Sequence, residues 1–244
     1  MNVPVYIPTK GRSKTLKTPS LLPVKPTLVV EPSQVESYTP LGYKLLVLPA
    51  DGFKICQIRQ WINDYAVAQG QASVWVMDDD ILGFETQKAV PVDAATAMEL
   101  AECEFGGNVK MVGFLSVYDS VTATRVVNEC VYAAILINPR YVSYDCDLRM
   151  NPNGMRTDAD ACISLIVNGF DTVKIPVVVK VDSENEGGLS DEYRSKRVND
   201  AERWLRAKWP KFVTPMKPNK NGHIWSKIKW RKVVQSRRSS WGLL

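Results

Sequence analysis

The sequence predicts an α/β fold with a mixed, mainly parallel central sheet flanked by helices. Two observations predict it. Short β-rich runs alternate with segments of helical spacing, the pattern of βαβ units. One run, residues 73–77, is nearly all apolar, as in a strand buried on both faces of a parallel sheet. A chain of 244 residues, 45% hydrophobic and 23% charged, is long enough to bury the core such a sheet needs.

The elements follow in order. Residues 3–7 read as a first strand ended by Pro8, with Thr9-Lys10-Gly11-Arg12 as a polar turn. Residues 27–30 form a second strand, and Glu31 stands at its carboxyl end, where open α/β sheets bind ligands. Residues 44–48 form a third, closed by Pro49. Apolar side chains at 55, 58, 61, 62 and 65 predict a helix over residues 55–69, with Gly70 to stop it. The apolar fourth strand comes next. Residues 92–104 read as a helix, 110–117 and 126–137 contain strands, 160–168 is a helix stopped by Gly169, and 173–181 is a β-branched strand. Residues 182–190 are polar, with Gly187-Gly188, and 191–209 read as a helix broken by Pro210. The remainder is expected to be part extended and part loop. The simplest partition is one domain over residues 1–202 and a basic extension over 203–244.

Charge is unevenly spread. Residues 203–244 carry 12 Lys/Arg and no Asp/Glu, so the first 202 residues hold 19 of the 31 bases against all 26 acids, a net of −7 within a chain of +5. An acidic body with a basic tail suggests a polyanionic partner. The tail also interleaves Trp225, Trp230 and Trp241 with its bases. Lys211, Lys217, Lys220, Lys227, Lys229, Arg231, Lys232, Arg237 and Arg238 are candidates to neutralise phosphates. Trp225 and Trp230 are candidates to stack on an unpaired base. The alternative is a solvated extension with its tryptophans packed inward. No run approaches the roughly 18 apolar residues of a membrane span, and Met1-Asn2-Val3-Pro4 does not open a secretory signal. Five widely spaced cysteines with no C-x-x-C pair read as reduced thiols, which fits a cytoplasmic chain.

The sharpest feature is Asp78-Asp79-Asp80, directly after the apolar strand. Three adjacent carboxylates repel one another unless a cation or hydrogen-bond donors offset the repulsion. Mg²⁺ or Mn²⁺ takes one or two carboxylates and leaves positions for substrate phosphate oxygens. Asp78 and Asp80 point the same way if the strand continues through them. A solvated acidic turn is the plain alternative.

With Val5-Tyr6-Ile7-Pro8-Thr9-Lys10-Gly11-Arg12, Ile58-Arg59 and Asp78-Asp79-Asp80 in this order, about the first 85 residues resemble GT-A glycosyltransferases. The opening resembles that fold's first strand and turn, Arg59 its basic position before the DxD motif, and the acidic triplet the motif itself. The resemblance implies a UDP-sugar donor held by Pro8, Thr9, Arg12, Glu31, Arg59, Asp78 and Asp79. It implies a metal ion on Asp78 and Asp80, with the lone His223 as a further ligand. Gly187 and Gly188 would lie over the donor. Asp158 and Asp160 with the helix after them resemble the acidic pair that supplies a general base in inverting members. Asp158 is the first candidate and Asp160 the second, while an N-cap role for Thr157 or Asp158 stays open.

The short length, the opening Ile-Pro-Thr-Lys-Gly-Arg and the basic tail look like the TET-associated glycosyltransferases, a family common in bacteriophage. That resemblance implies glucose transfer to 5-hydroxymethylcytosine in double-stranded DNA, in the host cytoplasm if phage-encoded. Thr157-Asp158 stands where the commonest pattern has Glu-Asp, which leaves stereochemistry open. A glycan or small-molecule acceptor, a nucleotidyltransferase, and a non-catalytic DNA-binding protein are the rival readings. No P-loop is present.

Overall fold

The computed structural model describes residues 3–117, 119, 125–152, 154–182, 197–219 and 224–237. Its first half is a parallel unit. Strands β1 (Val5–Pro8), β2 (Thr27–Val30) and β3 (Lys44–Val47) precede β4 (Val74–Met77), with the short α1 (Val35–Tyr38) after β2 and α2 (Ile55–Ala68) leading into β4. Tyr6 pairs with Thr27 on one side and Val76 on the other, giving the order β3-β2-β1-β4 with all four strands parallel. Gly70 takes the left-handed conformation at φ 69°, which costs glycine little and ends α2 where the sequence predicts.

The second half is mixed. It comprises β5 (Ile81–Glu85), β6 (Pro91–Val92), α3 (Ala94–Glu104), β7 (Val109–Leu115), β8 (Val126–Val127), β9 (Ala134–Ile137), α4 (Thr157–Val167) and β10 (Asp171–Val181). The sheet runs β3-β2-β1-β4-β9-β7-β10-β5-β6, with β8 also on β10. Strands β9, β5 and β8 run against the others, so the sheet is mixed and mainly parallel, as predicted. α3 begins at Ala94 rather than residue 92, because Asp93 caps it by accepting the Thr96 N–H at 3.0 Å.

Alternation along the strands divides the core. Val5, Ile7, Trp75 and Met77 face one layer with Ala97, Met98 and Ala101 of α3. Tyr6, Val74 and Val76 face the other with Ile58, Ile62 and Ala66 of α2 and Ala161, Cys162 and Leu165 of α4. The opposite side of α4 is buried too: Ala159, Ile163 and Ile166 pack on Trp204 and Leu205 of α5 (Arg197–Lys208). Phe212, Val213 of β11 (Val213–Pro215) and Val233 of α6 (Trp230–Gln235) complete that cluster, and β11 pairs with β12 (Ser226–Ile228). The expected boundary at residue 202 thus falls inside α5, and described residues of the basic extension pack on the core. The α6 helix replaces part of the extended chain expected there. No helix among the described residues is long and apolar enough to cross a membrane.

Candidate active site

Strands β2 and β3 lie on one side of β1 and β4 lies on the other, so the connections diverge at the β1/β4 boundary. Carboxyl ends of strands at such a switch point open a crevice for ligands. A cleft of about 320 Å³ opens there. One wall comes from Pro8, Glu31 and the acidic triplet at the ends of β1, β2 and β4, and the other from Arg156 and Asp158 at the start of α4.

The triplet does not prolong β4. Asp78, Asp79 and Asp80 form a tight turn, and β5 begins at Ile81, so the expected strand alternation of Asp78 and Asp80 is replaced by turn geometry. The middle carboxylate is held by neighbouring side chains. Asp79 is 6% exposed and lies 2.5 Å from Arg12 Nη1, and it accepts from the Thr9 hydroxyl at 2.6 Å. Both Asp79 carboxylate oxygens thus have partners inside the protein. Arg12 Nη1 also reaches Asp80 Oδ2 at 3.0 Å. Asp79 and Asp80 hold the Arg12 guanidinium more firmly protonated than usual, although burial opposes its charge. Tyr38 supports both partners: its hydroxyl lies 2.9 Å from Thr9 Oγ1 and accepts from the Arg12 N–H at 2.9 Å.

Asp78 faces the cleft with its side chain 37% exposed, and Arg59 Nη2 lies 3.3 Å from its Oδ1. The surrounding protein strips water from its other sides and pushes the carboxyl up to about 6. Arg59 opposes that rise, while Asp80, Asp79 and Asp158 add to it. Asp80 is raised as well, by burial first and Asp79 next, against Arg12. Arg59 comes from the buried face of α2, and its guanidinium lies 6.0 Å from the Tyr144 ring.

Glu31 is buried at 3% exposure. Its carboxylate binds Lys10 Nζ at 3.0 Å and accepts the Gly52 N–H at 2.8 Å, tying the turn after β1 to the chain after β3. Leu48, Ile55 and Ile58 give this end of the cleft an apolar lining beside that carboxylate.

On the opposite wall α4 starts at Thr157, earlier than the expected residue 160, and the residue before it is Arg156, at φ 62°. Neither Thr157 nor Asp158 is the N-cap. Among the described residues, Asp158 accepts only the adjacent Ala159 N–H, on Oδ1 at 2.8 Å, and makes no salt bridge. Arg156 is ion-paired through Nε with Glu202 of α5 at 2.9 Å, and Glu202 is fully buried. Asp160 lies elsewhere: it is 1% exposed and accepts from Lys208 Nζ at 2.8 Å and Trp209 Nε1 at 2.7 Å. Burial raises its carboxyl, with those two donors opposing. The structure separates the predicted acidic pair, leaving Asp158 in the cleft and making Asp160 an anchor for the end of α5.

No group of three or more His, Cys, Asp or Glu side chains is gathered to hold a metal among the described residues. The donor set still fits a hard ion that completes its shell with phosphate oxygens and water. Asp80 Oδ1 is buried with no hydrogen-bond partner among the described residues, and Asp78 is open to the same cleft. His223, Gly187, Gly188, Lys220 and Arg238 lie outside the described residues.

In the extension, Trp225 is 42% exposed and Lys211, Lys217, Lys227, Arg231 and Lys232 are exposed, with Lys229 half-buried. Two expected contacts turn inward. Trp230 packs against the α4–α5 cluster, and Arg237 Nη2 pairs with Asp171.

Sequence reasoning missed Tyr38, Arg156 and Glu202. No local pattern marks them, because each acts through a partner distant in sequence.

No protein-family model matches the chain, and no curated protein matches it. Among solved structures, the chain is similar to glucosyl-3-phosphoglycerate synthase from Mycobacterium tuberculosis in complex with Mn²⁺, UDP and phosphoglyceric acid. The TM-score is 0.49 and the identity 10%, over 93% of this chain and 86% of that one. The same enzyme with Mn²⁺, UDP and glucosyl-3-phosphoglycerate gives 0.46 and 9%, over the same 93% and 86%. Mannose-1-phosphate geranyltransferase from Thermus thermophilus gives 0.37 and 13%, over 57% of this chain, which spans only 58% of that one. All are distant likenesses.

Proposed function

We propose that the chain is a metal-dependent glycosyltransferase of GT-A type, which moves a sugar from a UDP-sugar to an acceptor hydroxyl. One observation carries this reading: an acidic turn with a free carboxylate oxygen faces Asp158 across a crevice at the sheet's switch point. Mn²⁺ or Mg²⁺ there would be held by Asp80 and Asp78 and would neutralise charge on the departing diphosphate.

The protein's own groups divide the remaining work. Leu48, Ile55 and Glu31 line the end of the cleft suited to the nucleoside, and Arg59 offers positive charge beside Asp78. Thr9 and Arg12 act at one remove, by holding the turn. Asp158 accepts the proton of the acceptor hydroxyl. That oxygen bonds to the anomeric carbon as the bond from that carbon to the diphosphate oxygen breaks, and the electron pair leaves with UDP. A positioned base of this kind contributes about 10²–10⁴-fold. Asp160, engaged with Lys208 and Trp209, takes no part.

For the acceptor we infer 5-hydroxymethylcytosine in double-stranded DNA, with glucose as the sugar, in a cytoplasmic setting. This finer reading rests on the resemblance to TET-associated glycosyltransferases and on the exposed bases of the extension beside Trp225. A glycan or small-molecule acceptor is the second reading, favoured by the inward packing of Trp230 and the pairing of Arg237 with Asp171.

The test is UDP release from UDP-glucose with Mn²⁺, comparing hydroxymethylcytosine DNA with unmodified DNA. Release that requires the hydroxymethyl group supports the DNA acceptor. Release unaffected by either DNA, but stimulated by a glycan, moves the acceptor to the second reading.

A further inference from the structure

We propose that Thr18 is a positioning residue for the divalent ion: its hydroxyl sets the shape of the acidic turn from which Asp78 and Asp80 reach the cleft. The inference rests on the metal-dependent reading above.

Three consecutive carboxylates in a tight turn resist being held together. Their backbone must therefore be fixed by groups outside the turn. Thr18, some 60 residues earlier in the chain, lies beneath it and is fully buried. Its Oγ1 donates to the Asp78 carbonyl at 2.7 Å and accepts the Ile81 N–H at 2.9 Å. One hydroxyl thus spans the turn from its first residue to the residue just after it. The Asp79 carbonyl between them accepts the backbone N–H groups of Lys17, at 3.2 Å, and Thr18, at 3.3 Å. The far side is closed by Asp182, whose N–H donates to the Asp80 carbonyl at 2.9 Å and whose carboxylate lies 2.5 Å from Lys17 Nζ.

Apart from the Lys17–Asp182 pair, these ties go to the backbone of the turn and of Ile81. None consumes a carboxylate oxygen of Asp78 or Asp80. The hydroxyl is the group that matters, because it donates and accepts at once. A methyl in its place leaves a buried carbonyl and a buried N–H both unpaired, and the turn then relaxes. A small ion such as Mg²⁺ demands oxygens at about 2.0–2.1 Å in near-ideal geometry, so a turn that drifts loses it first. The nucleoside end of the cleft, built on Glu31 and Leu48, does not share these bonds.

The test compares Thr18→Val, which removes the hydroxyl, with Thr18→Ser, which keeps it. Mn²⁺ binding in the presence of UDP is read from the free-Mn²⁺ EPR signal, and UDP binding without metal from calorimetry. Thr18→Val should weaken Mn²⁺ binding by about 10- to 100-fold, the range for removing an outer-shell support. Metal-free UDP affinity should stay within about twofold, and Thr18→Ser should recover most of the Mn²⁺ affinity. If Thr18→Val fails to fold, Thr18→Cys, with a weaker donor and acceptor, should give an intermediate loss. Wild-type Mn²⁺ affinity in Thr18→Val or Thr18→Cys overturns the proposal alone, as does Thr18→Ser binding as poorly as Thr18→Val. Absence of Mn²⁺ binding by the wild-type protein overturns the metal-dependent reading and this proposal with it.

Discussion

Arg12 Nη1 lies 2.5 Å from Asp79 Oδ1, and both side chains are buried. The most conspicuous acidic motif in the chain therefore spends its central carboxylate on structure. Removing one partner of a buried pair leaves the other charge uncompensated, at a cost of about 3–5 kcal/mol. Arg12 retains Asp80, so Asp79→Ala should lose about 3 kcal/mol, measured by urea unfolding. A loss within the ordinary surface range, about 0.5 kcal/mol, would show that the pair is not a support of the fold.

Asp78→Ala and Asp80→Ala should abolish metal-dependent turnover while leaving the fold intact, because both residues line the cleft and Asp80 keeps one oxygen without a hydrogen-bond partner among the described residues. Steady-state rates across a Mn²⁺ series check this. Wild-type rates in either variant would refute the metal assignment.

Asp158 and Asp160 should separate cleanly. Asp158→Asn should lower kcat by about 10²–10⁴-fold with little change in UDP-sugar affinity. Asp160→Asn should act on stability, since it weakens hydrogen bonds to Lys208 and Trp209 outside the cleft. Equal kcat losses at the two positions, with equal stability, would contradict the split.

Asp78 gives a pH dependence with a fixed sign. Burial first, then its acidic neighbours, lift its carboxyl from 3.8 to about 6. The folded state thus holds a proton that the unfolded chain releases between those values. Asp78 therefore lowers stability as pH rises through this window, and its full cost is present above pH 6. A metal ion needs the carboxylate, so Mn²⁺ affinity should fall as pH drops below about 6, approaching tenfold per unit. Mn²⁺ titrations from about pH 5 to pH 8 on the wild type and Asp78→Asn check it, and the variant should show a flatter profile. A flat wild-type profile would remove Asp78 from the site.

How much was legible follows from the range of the interactions. The parallel half was plain, because apolar runs such as residues 74–77 and the spacing of Ile55, Ile58 and Ile62 are local signals. The acidic turn was visible for the same reason. Its inner organisation was not. Asp79 is claimed by Thr9 and Arg12, from a strand end nearly 70 residues away, and nothing near Asp79 announces them. Strand β5 was missed because Ile81–Glu85 joins the sheet beside β10, far from β4. Asp158 and Asp160 carry the same chemistry locally, and only the docking of α5 shows which carboxylate is covered. The sequence left the tail open between a nucleic-acid contact and an extension with its tryptophans packed inward, because its charge is local information while its packing on α4 through Trp204, Leu205 and Val233 is tertiary.

The most direct test of the central claim is calorimetric binding of UDP-glucose with and without Mn²⁺, on the wild-type protein and on Asp80→Ala. The account predicts binding that Mn²⁺ strengthens in the wild type, that EDTA reverses, and that Mn²⁺ no longer strengthens in Asp80→Ala. Binding of equal strength with and without Mn²⁺, or no binding of any nucleotide-sugar by the wild type, would contradict it.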